Sequence, residues 1–398
     1  MHAPLGDLLL LLLAVMAVAI AARYTRVPYT VGLVIVGLAI GAVPGHPHIS
    51  LTPELVMFVF LPALLFAGAW TYPTTELRRS WLPITLLATL GVLISILVSW
   101  YVLVRWAGLP MQTALLFGAI VSPTDPIAVL SIFRSLHTNK RLAAIVEGES
   151  LFNDATAVIA FKLTLLASVI TTHVSLAIPV MDFLELLGGG IAVGLIVGGA
   201  GLLVLRLTDD YLVEAMGTLI AAYGSYFVAE KFHASGLIAA IVAGMFLSRV
   251  GSQFGSFSST RQSVNQLWEF FAFVANSMLF LLVGLAINLS ELRDVLILAL
   301  WGILAVALGR VVTVYGLCNL SSLLGQRVPV AWQHVLSLAG LRGALSMALA
   351  LSLPSSIAHR DLLIAMVFSV VLFTLVAQGL AIVPALMRLQ AAAERASH

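Results

Sequence analysis

The chain has 398 residues, of which 61% are hydrophobic and only 10% charged, with a formal net charge of +2. Soluble domains carry about 25% charged residues, so a body of this size could not cover its surface with polar groups. These numbers exclude an ordinary cytosolic enzyme, a disordered chain and a nucleic-acid binder, and they point to a lipid bilayer as the solvent.

Each crossing of a bilayer needs roughly 20 mainly apolar residues. In chain order, such stretches are predicted at about 5–22, 28–43, 53–71, 82–104, 111–133, 142–171, 181–206, 211–231, 235–249, 265–288, 293–318, 330–353 and 361–387, which makes thirteen. Stretches 2 and 9 are short. The first run, Leu8–Ala22, is read as a retained helix rather than a signal peptide, because Met1–Asp7 contains no Lys or Arg. No loop is long enough for a soluble domain, and residues 390–398 read as a short cytoplasmic tail.

Orientation follows the loop cations. With the N-terminus outside, the inner connections hold Arg23, Arg26, Arg78, Arg79, Arg134, Lys140, Arg141, Arg206, Arg249, Arg261, Arg327, Arg388 and Arg395, and the outer ones hold Arg105, Lys231, Arg293 and Arg360: thirteen against four. This bias predicts an N-out, C-in protein with an odd number of spans. An odd count suits two inverted six-helix repeats plus one extra helix. Stretch 5 is interrupted by Ser122–Pro126 and stretch 12 by Ala339–Ala344, equivalent places in the two repeats. A matched pair of interrupted spans is the sequence signal of a transport site. The whole of 1–389 therefore reads as one all-α polytopic transporter domain.

Ionisable groups within spans are functional candidates, because each costs at least ~2.5–3.5 kcal/mol at mid-bilayer. Pro123 and Pro126 lack amide donors and push Ser122 and Asp125 away from helical geometry, so Thr124 and Asp125 should sit on unwound backbone with free carbonyls. Carbonyls, a hydroxyl and a carboxylate form a hard-oxygen site for a small cation. In stretch 6, Ser150, Asn153 and Asp154 share one helical face, with Glu149 on a neighbouring stripe. Asp154 can act as an anionic ligand or proton carrier, and Asn153 can brace Asp125 through its amide hydrogens.

Arg342 in stretch 12 must find an anion, and Glu149 is the candidate that leaves Asp154 unpaired. Arg310 is a second intramembrane cation, for which a helix C-terminal carbonyl or a carboxylate is open as partner. Lys162, near the outer end of stretch 6, reads as a snorkelling side chain. His46, His48, His173 and His359 read as solvated histidines at outer ends, and Cys318 as a core residue. The glycines at 188–190 and 198–201 read as close-packing positions.

SPTDPIAV (Ser122–Val129), EGESLFNDATAV (Glu147–Val158) and GLRGALSMALALSLP (Gly340–Pro354), with the weaker LPALLFAGAW (Leu61–Trp70), resemble the monovalent cation:proton antiporter-1 family, bacterial sodium/proton antiporters of the NhaP type. The resemblance runs from about Leu5 to Leu389. It implies discontinuous helices 5 and 12, a transport core of about 82–171 and 293–387, and a dimer-forming scaffold of about 5–71 and 181–288. It also implies a homodimer in the cell inner membrane that exchanges Na⁺, Li⁺ or K⁺ for H⁺ without a cofactor, one for one, as the Asn153-Asp154 pair marks in that family. By motif match, Asp154 would carry the cation or proton, Ser150 and Thr124 would supply ligands, Asp125 would act nearby with Asn153 holding it, and Glu149 would pair with Arg342. Many close relatives carry a Glu where this chain has Ala67, which leaves the site one carboxylate poorer if that Glu is a ligand.

Two other classes share parts of this pattern. A cation channel could use the same oxygens, but there is no repeated filter such as TVGYG. An intramembrane hydrolase would need Ser150 with a base such as His334, and GESLF is no nucleophile elbow.

Overall fold

The computed structural model describes residues 2–22, 24, 28–43, 52–135, 138–169, 177–207, 210–251, 255–287, 295–382, 384 and 386–387. His46, His48, His173, Arg23, Arg26, Arg293, Arg388, Arg395 and the tail 390–398 lie outside them. The regular secondary structure of the described residues is all helical, with no strand among them. The helices are α1 (His2–Ala22), α2 (Tyr29–Gly41), α3 (Leu61–Thr71, preceded by a π-helical stretch at Leu55–Phe60), α4 (Thr74–Ala88), α5 (Leu90–Trp106), α6 (Met111–Ile120), α7 (Ile127–Ser135) and α8 (Lys140–Val169). They continue with α9 (Ala177–Leu205), α10 (Tyr211–Lys231), α11 (Gly236–Gly251), α12 (Gly255–Ala286), α13 (Leu296–Leu323), α14 (Val330–Leu338), α15 (Ala344–Leu351) and α16 (Arg360–Phe373, extended by a π-helical stretch at Thr374–Gln378).

By length and composition, seven described helical stretches can cross a bilayer: Thr75–Trp106, Lys140–Ser168, Met181–Leu205, Tyr211–Lys231, Arg261–Ala286, Leu296–Leu323 and Arg360–Ile382. Five more apolar helices are shorter, among them Tyr29–Gly41 and Met111–Ile120. Stretches 5 and 12 are the two that break, and they begin alike. Pro110 (φ −58, ψ 144) precedes α6 and Pro329 (φ −57, ψ 144) precedes α14, each proline standing where its missing amide costs nothing. The first halves stop at Ile120 and Leu338, and the second halves, α7 and α15, restart after non-helical Val121–Pro126 and Ala339–Gly343.

The chain forms two compact units. One comprises Glu54–Thr75 and Lys162–Asn276; the other comprises Met1–Pro53, Glu76–Phe161 and Ser277–His398. In the smaller unit, α3 and α9–α11 pack with the first part of α12 around Phe66 and Trp268, whose ring centroids are 4.7 Å apart. Such an aromatic pair adds about 0.5–1.5 kcal/mol beyond its buried area. Both indole donors there are satisfied, Trp70 Nε1 by Asn265 Oδ1 (2.7 Å) and Trp268 Nε1 by Thr218 Oγ1 (3.1 Å). Ala67 is buried in this cluster. Gly190 and Gly194 of α9 lie against the backbone carbonyls of Ser235 and Ala239, so α9 crosses the α11 region at backbone distance. Within the glycine runs read as packing positions, Gly188 and Gly199 face open space. Lys162 meets Glu230 at 3.2 Å, so this cation has an anionic partner rather than a free end.

The larger unit contains both broken spans. It also holds α1 and α2. The reason is local: Gly37 of α2 faces Leu281 O, and Gly284 of α12 faces Val34 O, so two glycines let α2 and the end of α12 touch backbone to backbone. In the same unit, α4 is kinked at Ser80 (φ −129, ψ 22), three residues before Pro83. Arg141 bridges this kink to the second repeat: its Nε donates to Ser80 Oγ (3.0 Å) and its Nη2 to Arg327 O (3.1 Å).

Candidate functional site

The two unwound segments meet. The amide of Asp125 donates to Leu341 O (2.8 Å), which ties Val121–Pro126 to Ala339–Gly343 by backbone alone. The double proline explains the first break, because two missing donors and two restricted predecessors cannot be accommodated within one turn. Asp125 Oδ1 accepts from the amide of Ile127 (3.0 Å), the first residue of α7, and so caps the restarting helix.

Ser150, Asn153 and Asp154 lie on α8, three and four residues apart, as the helical period requires. The Ser150 hydroxyl donates to Thr124 O (2.5 Å). Asn153 Nδ2 donates to Thr124 Oγ1 (2.7 Å), and Asn153 Oδ1 accepts from the Thr124 amide (3.4 Å). The expectation that Asn153 braces Asp125 is therefore corrected: Asn153 grips Thr124, one residue earlier, because the unwound backbone turns that residue's amide and hydroxyl toward α8. Asp154 Oδ1 is enclosed and has no hydrogen-bond partner. Its neighbours on α8 are thus spent on Thr124, while Asp154 keeps an oxygen free.

Thr124→Val tests this grip. Valine keeps the shape but removes the acceptor for Asn153 Nδ2, so a loss of about 1–3 kcal/mol is expected, read as a lower melting temperature of the purified protein, with Thr124→Ser close to wild type. An unchanged melting temperature in the valine variant would show that Asn153 does not depend on Thr124.

Glu149 is buried on α8 and paired with Arg310 of α13, not with Arg342. Arg310 Nη1 bonds Glu149 Oε1 and Nη2 bonds Oε2 (3.0 Å), while Nε and Nη2 also donate to Leu336 O (3.1 and 2.7 Å). The guanidinium fork is thereby matched to both a carboxylate and the last turn of α14. Arg342 spends its Nη1 on the carbonyls of Ser122 (2.5 Å) and Pro123 (3.0 Å), and its amide donates to Thr374 Oγ1 (3.1 Å). The sequence-based pairing of Glu149 with Arg342 is corrected on this geometry. Arg342 is needed by carbonyls that the prolines release, and Arg310 sits where α13 faces α8. Both arginines were visible as buried cations; the spacing along the chain could not say which faced Glu149.

Ser150 and His334 do not meet as a catalytic pair, since Ser150 is held by Thr124 O and a ring nitrogen of exposed His334 contacts Tyr315 Oη. Among the described residues, no trio of His, Cys, Asp and Glu gathers as a resident metal site would require. The crossing of two unwound segments, with one unpaired carboxylate oxygen beside it, suits a small monovalent cation or a proton as a passing occupant.

The comparisons with known proteins agree with this architecture. Residues 9–388 match the family described as sodium/hydrogen exchanger, transmembrane. The low-affinity Na⁺/H⁺ antiporter NhaS1 of Synechocystis sp. is 42% identical over 360 residues, 89% of this chain and 68% of that protein. The Na⁺/H⁺ antiporter NhaH of Halobacillus aidingensis is 37% identical over an alignment of 403 residues, 96% of each. The structure of the sodium proton antiporter MjNhaP1 from Methanocaldococcus jannaschii at pH 8 has a TM-score of 0.78 at 22% identity, covering 97% of this chain and 98% of that one, a likeness of fold. With a broken-helix crossing of this kind and a family match over nearly its whole length, the chain belongs to the sodium/hydrogen exchanger family.

Proposed function

We propose that this protein is a secondary antiporter that exchanges a monovalent cation, Na⁺ first among Na⁺, Li⁺ and K⁺, for H⁺. The observation that carries this reading is Asp154: a carboxylate on a buried helix face, one oxygen unpartnered, beside the crossing of two unwound segments. The relatives named above are called Na⁺/H⁺ antiporters, which supports the choice of ions.

The mechanism is competition at Asp154. A proton or a cation neutralises the carboxylate, and the two exclude each other. Only the neutralised site crosses the low-dielectric barrier cheaply, which suppresses empty movement. Thr124, Ser150 and Asp125 supply the surrounding oxygens, with Asn153 fixing Thr124. Glu149 and Arg310 are a structural pair, and Arg342 holds the unwound carbonyls. One cation is exchanged for one proton, so no net charge moves and the membrane potential does not drive the cycle; a net charge would couple ~2.3 kcal/mol per 100 mV. The transport core moves against a dimer-forming scaffold in a homodimer. The loop-cation bias supports an inner-membrane protein with its N-terminus outside and C-terminus cytoplasmic.

The experiment is proton flux in proteoliposomes on adding Na⁺, Li⁺ or K⁺ in turn, with the potential clamped. Na⁺ should move acid equivalents under zero potential; flux with none of the three ions overturns the reading. Competition also sets the sign of the pH dependence. Protons occupy the site more as pH falls, so the apparent KM for Na⁺ should rise by up to about tenfold per pH unit on the acid side. A KM independent of pH would remove competition from the mechanism.

A further inference from the structure

We infer that Gly340 and Gly343 are recesses, each omitting a side chain so that one charged group can occupy its space, and that Gly343 is thereby a positioning residue for Asp125. This rests on the exchange reading only in so far as Asp125 belongs to the cation site.

Neither glycine is demanded by backbone conformation. Gly343 lies at φ −132, ψ −157, extended backbone that any residue adopts. The positive-φ glycines among the described residues are Gly108 and Gly325, neither of them in the unwound segment. The requirement is space. A methyl group at Gly343 would overlap Asp125 Oδ2 and lie 2.7 Å from its Cβ and 3.0 Å from its Cγ. Asp125 cannot swing aside, because its amide is held by Leu341 O (2.8 Å) and its Oδ1 by the Ile127 amide (3.0 Å). The Cβ contact also means that turning the carboxylate alone would not clear the methyl group.

At Gly340, a methyl group would lie 2.6 Å from Arg310 Nε, 2.9 Å from Cδ and 3.2 Å from Cζ. That head group is fixed between Leu336 O and Glu149. Two glycines three residues apart therefore serve different charges: Gly340 admits the arginine of the structural pair, and Gly343 admits the carboxylate at the crossing. Interiors packed to this density do not absorb an added methyl without displacing a neighbour.

The test uses the full-length protein purified in detergent and reconstituted, as Gly343→Ala, Gly340→Ala and Gly316→Ala. Gly316 has no neighbour within 4 Å of an added methyl group and serves as the control. Gly343→Ala should raise both the apparent KM for Na⁺ and the Na⁺ concentration needed for thermal stabilisation, by about tenfold or more, as displaced supports of ion ligands do, with a smaller change in kcat. Gly340→Ala should lower the melting temperature without moving the Na⁺ midpoint, and Gly316→Ala should change neither. A folded Gly343→Ala protein with a wild-type Na⁺ midpoint overturns the inference. If Gly343→Ala yields little folded protein, the same change made on an Asp125→Gly background, where the three nearest clashing atoms are gone, should cost nothing beyond Asp125→Gly alone, and a further loss there overturns the inference equally. Loss of Na⁺-driven proton flux in the unmodified protein would sink the exchange reading while leaving the melting and double-variant results to decide the recess.

Discussion

Asp154→Asn should abolish Na⁺-driven proton flux while the variant is made, inserted and folded in wild-type amounts. Asparagine has the size of aspartate, and the Asp154 Oδ1 atom accepts no hydrogen bond whose loss would be felt. The fold therefore has little reason to notice the change. The chemistry does. An amide neither takes up a proton nor offsets the charge of a bound cation. A cation at this depth without a counter-charge meets a desolvation penalty of several kcal/mol, which corresponds to a loss of at least about a hundredfold in occupancy. Size-exclusion behaviour and melting temperature check the first half of the expectation, and dye-reported flux in proteoliposomes the second. Near-normal exchange by Asp154→Asn would move the competing site elsewhere, with Asp125 the next carboxylate to examine.

Arg310→Ala should cost more in stability than in ion recognition, and its effect should depend on Glu149. Removing the arginine leaves a buried carboxylate without its cation, which destabilises proteins by about 3–5 kcal/mol. The expected result is a sharp fall in yield and melting temperature. Replacing both partners with apolar residues of similar volume, as Arg310→Met/Glu149→Leu, should recover most of that loss, because neither charge is then buried alone. In double-substitution cycles Glu149 should couple strongly to Arg310 and weakly to Arg342, whose Nη1 is committed to Ser122 O and Pro123 O. A stronger coupling of Glu149 to Arg342 would contradict the pairing seen here.

Much of this site was legible before any coordinate was known, because its causes are local. Composition alone names the solvent. Pro123 and Pro126 break their helix through missing amides and restricted predecessors, whatever surrounds them. The 3.6-residue period is enough to put Ser150, Asn153 and Asp154 on one face. Intramembrane Glu149, Arg310 and Arg342 announce themselves, since each is costly unless paired. The second break, at Ala339–Gly343, contains no proline and was marked by its glycines and its matching place in the repeat.

What the chain could not reveal by itself is which group faces which. Glu149 and Arg310 are 161 residues apart in sequence, and their meeting depends on how α13 is rotated about its own axis against α8. The same holds for Asn153, whose amide reaches Thr124 rather than Asp125 because the unwound backbone turns by one residue. Gly340 and Gly343 mark the break in the sequence, and only their neighbours in the fold show them to be room for Arg310 and Asp125. Local sterics and periodicity are written residue by residue; partner choice is set by the packing of helices distant in sequence, and only the folded arrangement decides it.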